Sequence, residues 1–523
     1  MTLEARSALT GYVPHGHVPD RRPLDLREVP ARHKVYPGVP RIGLPWESTV
    51  GDSPLSVLGA FLRNLCGLTR MVWMPGVDLQ GNRISGTVKA HLGRPAPSGG
   101  GLHPMEAYLA VGGPAMEPAL LHYDPAHHAL EQLRRGDHRE ALTGLLHVPP
   151  PTPPALVLVL TSRFWRNAVK YREFGYRLQT QEAGVLAAQA VAVADRLGVP
   201  AEVHLNFADR RVNALLGLTP SAEAAMVVIT LHGAASGGPA AGSGPGYDGL
   251  VQQAVPEPLF DVPPIRDRLP ATAALHEASL TTGPGTSPGP PRHPHPLGEP
   301  ITLPRLPVRS ADGIDLRRSP PDGFLPDGIG DAPLAGVLEA AAAGLPGAVR
   351  ATAVYCLALR VDGIPAGAYR YDPVEHALCD IRSAPRDLAP VLSHTPVGEA
   401  AAVLLPVGDP VGGLVPFGAR WYRLLQADVG IALQRGALAA AAVGLAARIH
   451  SGEAPELTAG LGLDGTQAVL SALLIGVPRA ASTWDHPIAA HGARAQGRSE
   501  PGRAQGAAHG RRSGGPWGHT PNA

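Results

Sequence analysis

Apolar positions run along the chain in two similar series. In the first half, "HPMEAYLAV…LLHYDPAHHALEQL" (103–133) reads strand, turn, strand. In the second, "RATAVYCLALRVDGIPAGAYRYDPVEHALCDI" (350–381) reads the same way, with Asp-Pro opening the turn in each. Further on, "YRLQTQEAGVLAAQAVAVADRLGV" (176–199) aligns without gaps on "YRLLQADVGIALQRGALAAAAVGL" (422–445). Tyr176 and Tyr422, Gly184 and Gly430, and Gly198 and Gly444 are all 246 positions apart. Both stretches predict a long apolar helix stopped by glycine. Each half therefore predicts an α+β unit of strands packed on one buried helix. Two such units in one chain imply a pseudo-twofold arrangement, a homodimer made covalent.

Composition sets the boundaries. The 523 residues are 44% hydrophobic and 17% charged, enough to bury a core in two or three domains. A net charge of +1 gives no argument for nucleic acid or an anionic membrane as partner. Cys66, Cys356 and Cys379 form no CxxC pair, so a disulfide framework is not expected and a reducing cytoplasm fits. The first twenty residues lack an apolar secretory core, and "GALAAAAVGLAARI" (436–449) is too short and Ala-rich for a membrane span. Gly (63) and Pro (57) together reach about twice their usual share. The excess falls at 233–300, with "GAASGGPAAGSGPG" and "TTGPGTSPGPPRHPHP", and in the tail. These runs read as linker and solvated tail that supply no core, and the histidines of "PRHPHP" lack metal-ligand spacing. The expected division is an extension (1–34), a first domain (35–232), a Gly/Pro-rich linker (233–300), a second domain (301–485) and a disordered tail (486–523).

One stretch resists a purely architectural reading. "RPAPSGGGLHP" (94–104) sets three glycines beside a core strand, at a cost in backbone entropy. It is either a plain loop or a place where something must approach the backbone closely. His103, which follows the glycines, faces that visitor or caps the strand.

Together with the "YDPxxHAL" turns and "KYREFGYRLQTQEAGVLAAQAVAVADRLGV", this stretch resembles the SagB-type dehydrogenases of the nitroreductase-like flavoprotein superfamily. The resemblance covers most of 35–232 and, more weakly, 300–480. It implies a central mixed sheet wrapped by helices, a tight dimer, and FMN bound at the dimer interface. One subunit would hold the phosphate with an "RRS" segment, and the other would bring a Pro-Ser-Gly loop to the flavin ring. The halves complement each other under that scheme. The first has Pro97, Ser98, Gly99, Gly100 and Gly101, where the second has "LPGAVRA" (345–351). The second has Arg317, Arg318 and Ser319, where the first has "LPWESTVGDSP" (44–54). Bidentate arginine and a hydroxyl suit a phosphate monoester. Arg479 is the candidate for completing the phosphate site. The chain would then carry one complete FMN site, split between its halves.

In azoline-oxidising members of the family an adjacent Lys-Tyr pair is associated with catalysis, and Lys170-Tyr171 match it. A neighbouring ammonium favours tyrosinate, and such a pair is a credible general base for a ring carbon whose neighbour gives up a hydride. Pro416-Phe417 stand at the equivalent positions and cannot do this work. Outside the resemblance, Lys170-Tyr171 would simply flank a helix start. The resemblance implies an FMN-dependent dehydrogenase that turns thiazoline or oxazoline rings of a ribosomally made precursor peptide into azoles. A cyclodehydratase and a leader-peptide-binding protein would be its partners. An NAD(P)H-dependent nitro- or flavin reductase and a flavin-free peptide-binding scaffold are the alternatives. Glu182 and Gln189, seven apart on one helix face, are expected to make buried polar contacts between the halves. Tyr123 and Tyr371 are expected to pack in the turns, and Cys66 in the core.

Overall fold

A computed structural model describes residues 3–13, 28–46, 53–77, 83–113, 116–233, 246–259, 263–280, 297–381, 399–451 and, with short breaks, 457–488. The first half runs α1 (Leu3–Tyr12), β1 (Arg41–Gly43), α2 (Pro54–Cys66), β2 (Arg70–Val77), β3 (Arg83–Gly93), β4 (Met105–Val111), β5 (Ala119–Asp124) and β6 (Ala129–Arg135). It continues through α3 (Arg139–Thr143), β7 (Leu156–Arg163), α4 (Phe164–Tyr171), α5 (Phe174–Arg196), β8 (Ala201–His204), α6 (Asp209–Leu216) and β9 (Glu223–Leu231). After α7 (Tyr247–Val251) and α8 (Pro270–Ser279) come β10 (Leu297–Thr302), α9 (Asp331–Ala342), β11 (Thr352–Ala358), β12 (Gly367–Asp372), β13 (Ala377–Ile381) and β14 (Ala402–Gly408). The last elements are α10 (Leu414–Phe417), α11 (Arg420–Ala442), β15 (Ala446–His450), β16 (Ala468–Val469), β17 (Ala472–Gly476) and β18 (Trp484–Pro487).

Two sheets follow the same plan. One is ordered β1-β6-β5-β4-β7-β9-β8 and the other β10-β13-β12-β11-β14-β17-β15, with β16 added on β14. Every ladder between these strands is antiparallel, which corrects the mixed sheet that the resemblance implied. Antiparallel hairpins reverse the chain from β4 to β6. The β8–α6–β9 return then slots β9 between β7 and β8, so neighbours always run in opposite directions. Both faces of the first sheet are covered. Ala107, Leu109, Leu158 and Leu160 point into the core shared with α2 and α5, while Tyr108, Ala110, Val157 and Val159 fill a second core on the far side.

The paired turns repeat in atomic detail. Asp124 Oδ1 accepts the Ala126 N–H, and Asp372 Oδ1 accepts the Val374 N–H, each at 2.9 Å. The Tyr123 hydroxyl bonds His128 Nδ1 at 2.9 Å and Tyr371 bonds His376 Nδ1 at 2.8 Å, with both histidines at positive φ. The long helices α5 and α11 are each 23 residues and pack against one another. Their crossing needs glycine: a Cβ on Gly184 would sit 1.8 Å from the Ala427 carbonyl oxygen, and one on Gly430 1.9 Å from that of Gln181. Tyr176 and Tyr422 stack at 6.1 Å, and Tyr12 of α1 meets both edge-on. Polar contacts cross the same seam. Gln434 Nε2 donates to Gln189 Oε1 and Gln181 Nε2 to Gln426 Oε1, each at 2.7 Å. Asp209 of α6 is buried between Arg420 and Arg423 of α11, with Arg423 Nη1 at 2.7 Å. Burial alone would raise the Asp209 carboxyl, but the two guanidinium groups hold it below its usual range.

The span read as linker differs from expectation. Within it, Leu250, Ile265, Leu269 and Leu275 are buried, and His276 of α8 meets the Tyr176 hydroxyl at 3.1 Å. The Gly/Pro runs that prompted the linker reading flank this stretch, which itself carries enough leucine and isoleucine to join the core. Residues 234–245, 281–296 (with His293 and His295) and 489–523 of the tail lie outside the described residues. The three cysteines are unpaired and buried. No helix among the described residues is long and apolar enough to cross a membrane.

Candidate functional site

The triple glycine forms a compact turn between β3 and β4. Gly100 and Gly101 take φ of +64° and +67°, a region that disfavours any Cβ, and His103 follows at +49°. The turn is tied down from within. Ser98 Oγ accepts the His103 N–H at 2.8 Å, the Ser98 carbonyl accepts the Gly101 N–H at 3.0 Å, and Glu182 Oε1 accepts the Gly99 N–H at 2.8 Å. Two of the three glycine N–H groups thus serve the protein itself.

Helix α4 delivers the Lys-Tyr pair to this turn. It stops at Arg172, held at φ 49° and ψ −134°. Its counterpart α10 stops in the same conformation at Gly418, 246 positions on. A Cβ on Gly100 would lie 2.5 Å from the Tyr171 hydroxyl and 3.0 Å from Lys170 Nζ, so the missing side chain is what admits the pair. Lys170 Nζ stands 5.1 Å from the centroid of the Tyr171 ring.

Tyr171 and the turn line a cavity of about 460 Å³. Pro97–Gly101, Tyr171 and the α5 residues Leu178, Gln181 and Glu182 form one wall; Ser319, Leu433 and the strand end Arg448–Ser451 form the other. The structure therefore brings together Pro97, Ser98, Gly99, Gly100, Gly101, Tyr171 and Ser319, with Lys170 against Gly100. Arg317 is buried behind Ser319, with Nη1 3.5 Å from the Ser319 hydroxyl and Nε donating to the Pro95 carbonyl at 2.9 Å. Burial, with Arg70 and Arg318 nearby, pushes Arg317 down to about 9. Arg318 turns toward Asp485 instead, at 2.9 Å, and lines a neighbouring cavity. His103 is half-buried and lines neither space. Arg479 is exposed, donates its backbone N–H to Gly323, and also lines neither.

Glu182 departs from its expected role. It bonds within the first half, to Gly99 and to Asn167 Nδ2 at 3.3 Å, whereas Gln189 does reach across. Its equivalent Asp428 accepts the Ala351 and Thr352 N–H groups and the Thr352 hydroxyl, so an acid anchoring the segment before the central strand is common to both halves. Burial raises Glu182 to about 7 against the bonds from Gly99, Ser98 and Asn167. Sequence reading missed Gln181, Arg448, His450 and Ser451. The last three follow the second long helix at a place no local motif marks.

The residues present fit a flavin nucleotide. The cavity has the size of a cofactor site and a glycine turn as one wall. The buried Arg317 guanidinium has no carboxylate partner among the described residues, which leaves it suited to an anion. No group of His, Cys, Asp and Glu among the described residues could hold a metal ion.

Comparisons with known proteins agree. Residues 85–233 match the nitroreductase family, whose members typically bind flavin. Trifolitoxin-processing protein TfxB of Rhizobium leguminosarum bv. trifolii is 31% identical over 149 residues, 27% of this chain and 40% of that protein. Microcin B17-processing protein McbC of Escherichia coli is 27% identical over 172 residues, 32% of this chain and 63% of that protein. The chain thus spans less than two thirds of the length of either curated relative. A crystal structure from Anabaena variabilis, described provisionally as a nitroreductase, superposes on 90% of this chain and 99% of its own with a TM-score of 0.73 at 23% identity, a likeness of fold. Part of the first half thus matches the nitroreductase family, and the chain is distantly similar to the two processing proteins.

Proposed function

We propose that the chain is an FMN-dependent dehydrogenase that oxidises thiazoline or oxazoline rings of a precursor peptide to azoles. The observation that carries this is the placing of Lys170 and Tyr171 at Gly100, with Tyr171 and Gly100 on the wall of a cavity to which both halves contribute. The halves act as a pseudo-dimer with one working site. Their matching strand order and the glycine crossing of α5 on α11 support that reading, and Pro416-Phe417 at the equivalent place offer no acid or base.

FMN, when bound, supplies the hydride acceptor that the oxidation needs. Pro97–Gly101 would face its ring, and Arg317 with Ser319 its phosphate. The chain's own part is acid–base and positional. Tyr171 and Lys170 take the proton from the ring carbon next to the one that gives up hydride, and the Glu182–Gly99 bond keeps the turn in register with them. The relatives' names, both processing proteins, support a peptide substrate. A cyclodehydratase would make the azoline, a leader-binding protein would present it, and the setting would be the cytoplasm. Full-length protein loaded with FMN is expected to leave a thiazoline peptide two hydrogens lighter. Lys170→Ala with Tyr171→Ala is expected to keep the yellow colour and lose the mass change. An unchanged peptide mass with wild-type protein refutes the reading. The nitroreductase match favours one alternative, an NAD(P)H-dependent reductase. Rapid bleaching of bound flavin by NADPH without peptide distinguishes it.

A further inference from the structure

Beside Ser319 lies a second cavity of about 740 Å³, between a three-stranded arm ordered β18-β2-β3 and the segment carrying Arg318. Ser319 lines both cavities. Arg70 of β2, from the first half, reaches this space with its Nη1 3.4 Å from Asp485 Oδ2. Arg318 Nε lies 2.9 Å from the same oxygen. Arg70 Nε is buried with no hydrogen-bond partner among the described residues. Its cross-strand partner is Gly93, where a Cβ would lie 2.4 Å from that Nε, so the side chain crosses the hairpin through a gap kept by glycine. Arg317 is buried close by and feels both cations. Two guanidinium groups thus share one carboxylate, with the Arg317 guanidinium close by, while Asp315 on the same wall is drawn to Arg196 at 2.6 Å. Such a cluster is short of negative charge, and a dianion supplies it.

We propose that Arg70 is a further binding residue for the phosphate monoester of the flavin nucleotide, closing the anion site formed by Arg317, Arg318 and Ser319, and that Asp485 is the carboxylate with which the phosphate competes. This rests on the FMN reading above. It changes the division of labour, since the half that brings the glycine turn also grips the far end of the same ligand.

Flavin binding to the full-length apoprotein tests it, with FMN and riboflavin titrated side by side and followed by quenching of flavin fluorescence. Arg70→Gln is expected to weaken FMN about tenfold or more, the scale of a lost charge-assisted bond, and to leave riboflavin affinity unchanged. Arg70→Lys is expected to recover part of the loss, which separates it from misfolding. Asp485→Asn is expected to tighten FMN and not riboflavin. If Arg70→Gln binds FMN like wild type while Arg317→Gln binds it weakly, the role of Arg70 is overturned and the flavin reading stands. If wild type takes up neither flavin, the flavin reading fails and this inference with it.

Discussion

Replacing Gly100 by alanine separates two things a glycine turn can do. The new Cβ would fall 2.5 Å from the Tyr171 hydroxyl and 3.0 Å from Lys170 Nζ, at a residue held at φ +64°. The backbone part of the penalty is about 1–2 kcal/mol for an L-residue in the left-handed region. The steric part moves the pair, because ordinary carbon–oxygen contact needs roughly 1 Å more. A displacement of about 1 Å at reacting groups is worth on the order of a hundredfold in rate. Gly101→Ala is the matched control: φ is +67° and nothing lies within 4 Å of the added Cβ. The two variants are therefore expected to lose similar stability in thermal melts. Azoline oxidation, measured per bound flavin by mass spectrometry, is expected to fall about a hundredfold for Gly100→Ala and far less for Gly101→Ala. Equal loss in both variants would refute the idea that the glycine makes room for Lys170 and Tyr171.

Other expectations follow from the same geometry. Burial lifts Glu182 from its usual 4.5 to about 7, so its contribution to stability is fully present below pH 4.5 and is lost as pH rises through 7. Glu182→Gln should therefore flatten the melting temperature across that window relative to wild type, and parallel profiles would contradict it. Gly184→Ala should lower stability by at least about 1–3 kcal/mol in denaturant titrations, since the Cβ meets backbone of the facing helix. A wild-type midpoint would mean that the helices do not cross there. Asp209→Asn leaves the buried Arg420 and Arg423 without their carboxylate and should cost about 3–5 kcal/mol by the same measurement, against little change if the triad is dispensable.

Much of this was legible in the residues, and the reasons it stopped are physical. The constant offset of 246 located two helices of equal length, because a helix crossing held by glycine tolerates no insertion. The Asp-Pro turns were readable because a side-chain bond two residues on defines them locally. Strand direction was not, since it depends on how β8 and β9 return to the sheet rather than on any strand's own pattern. Residues 246–280 were hidden by the low-complexity runs on either side. Arg448 and Ser451 line the cavity beside Ser98 from a late strand, and Arg70 lines the neighbouring one beside Ser319 from a hairpin, where only tertiary folding brings them together. Glu182 was found, but its partner was misassigned, because one helix face serves both the seam and the glycine turn.

The most direct test is flavin stoichiometry. Purified apoprotein titrated with FMN and freed of excess should retain one flavin per chain, held by a glycine turn from one half and arginines that include the other half's. Two flavins per chain would mean that each half builds its own site, and none would mean that the shared cavity is not a flavin site.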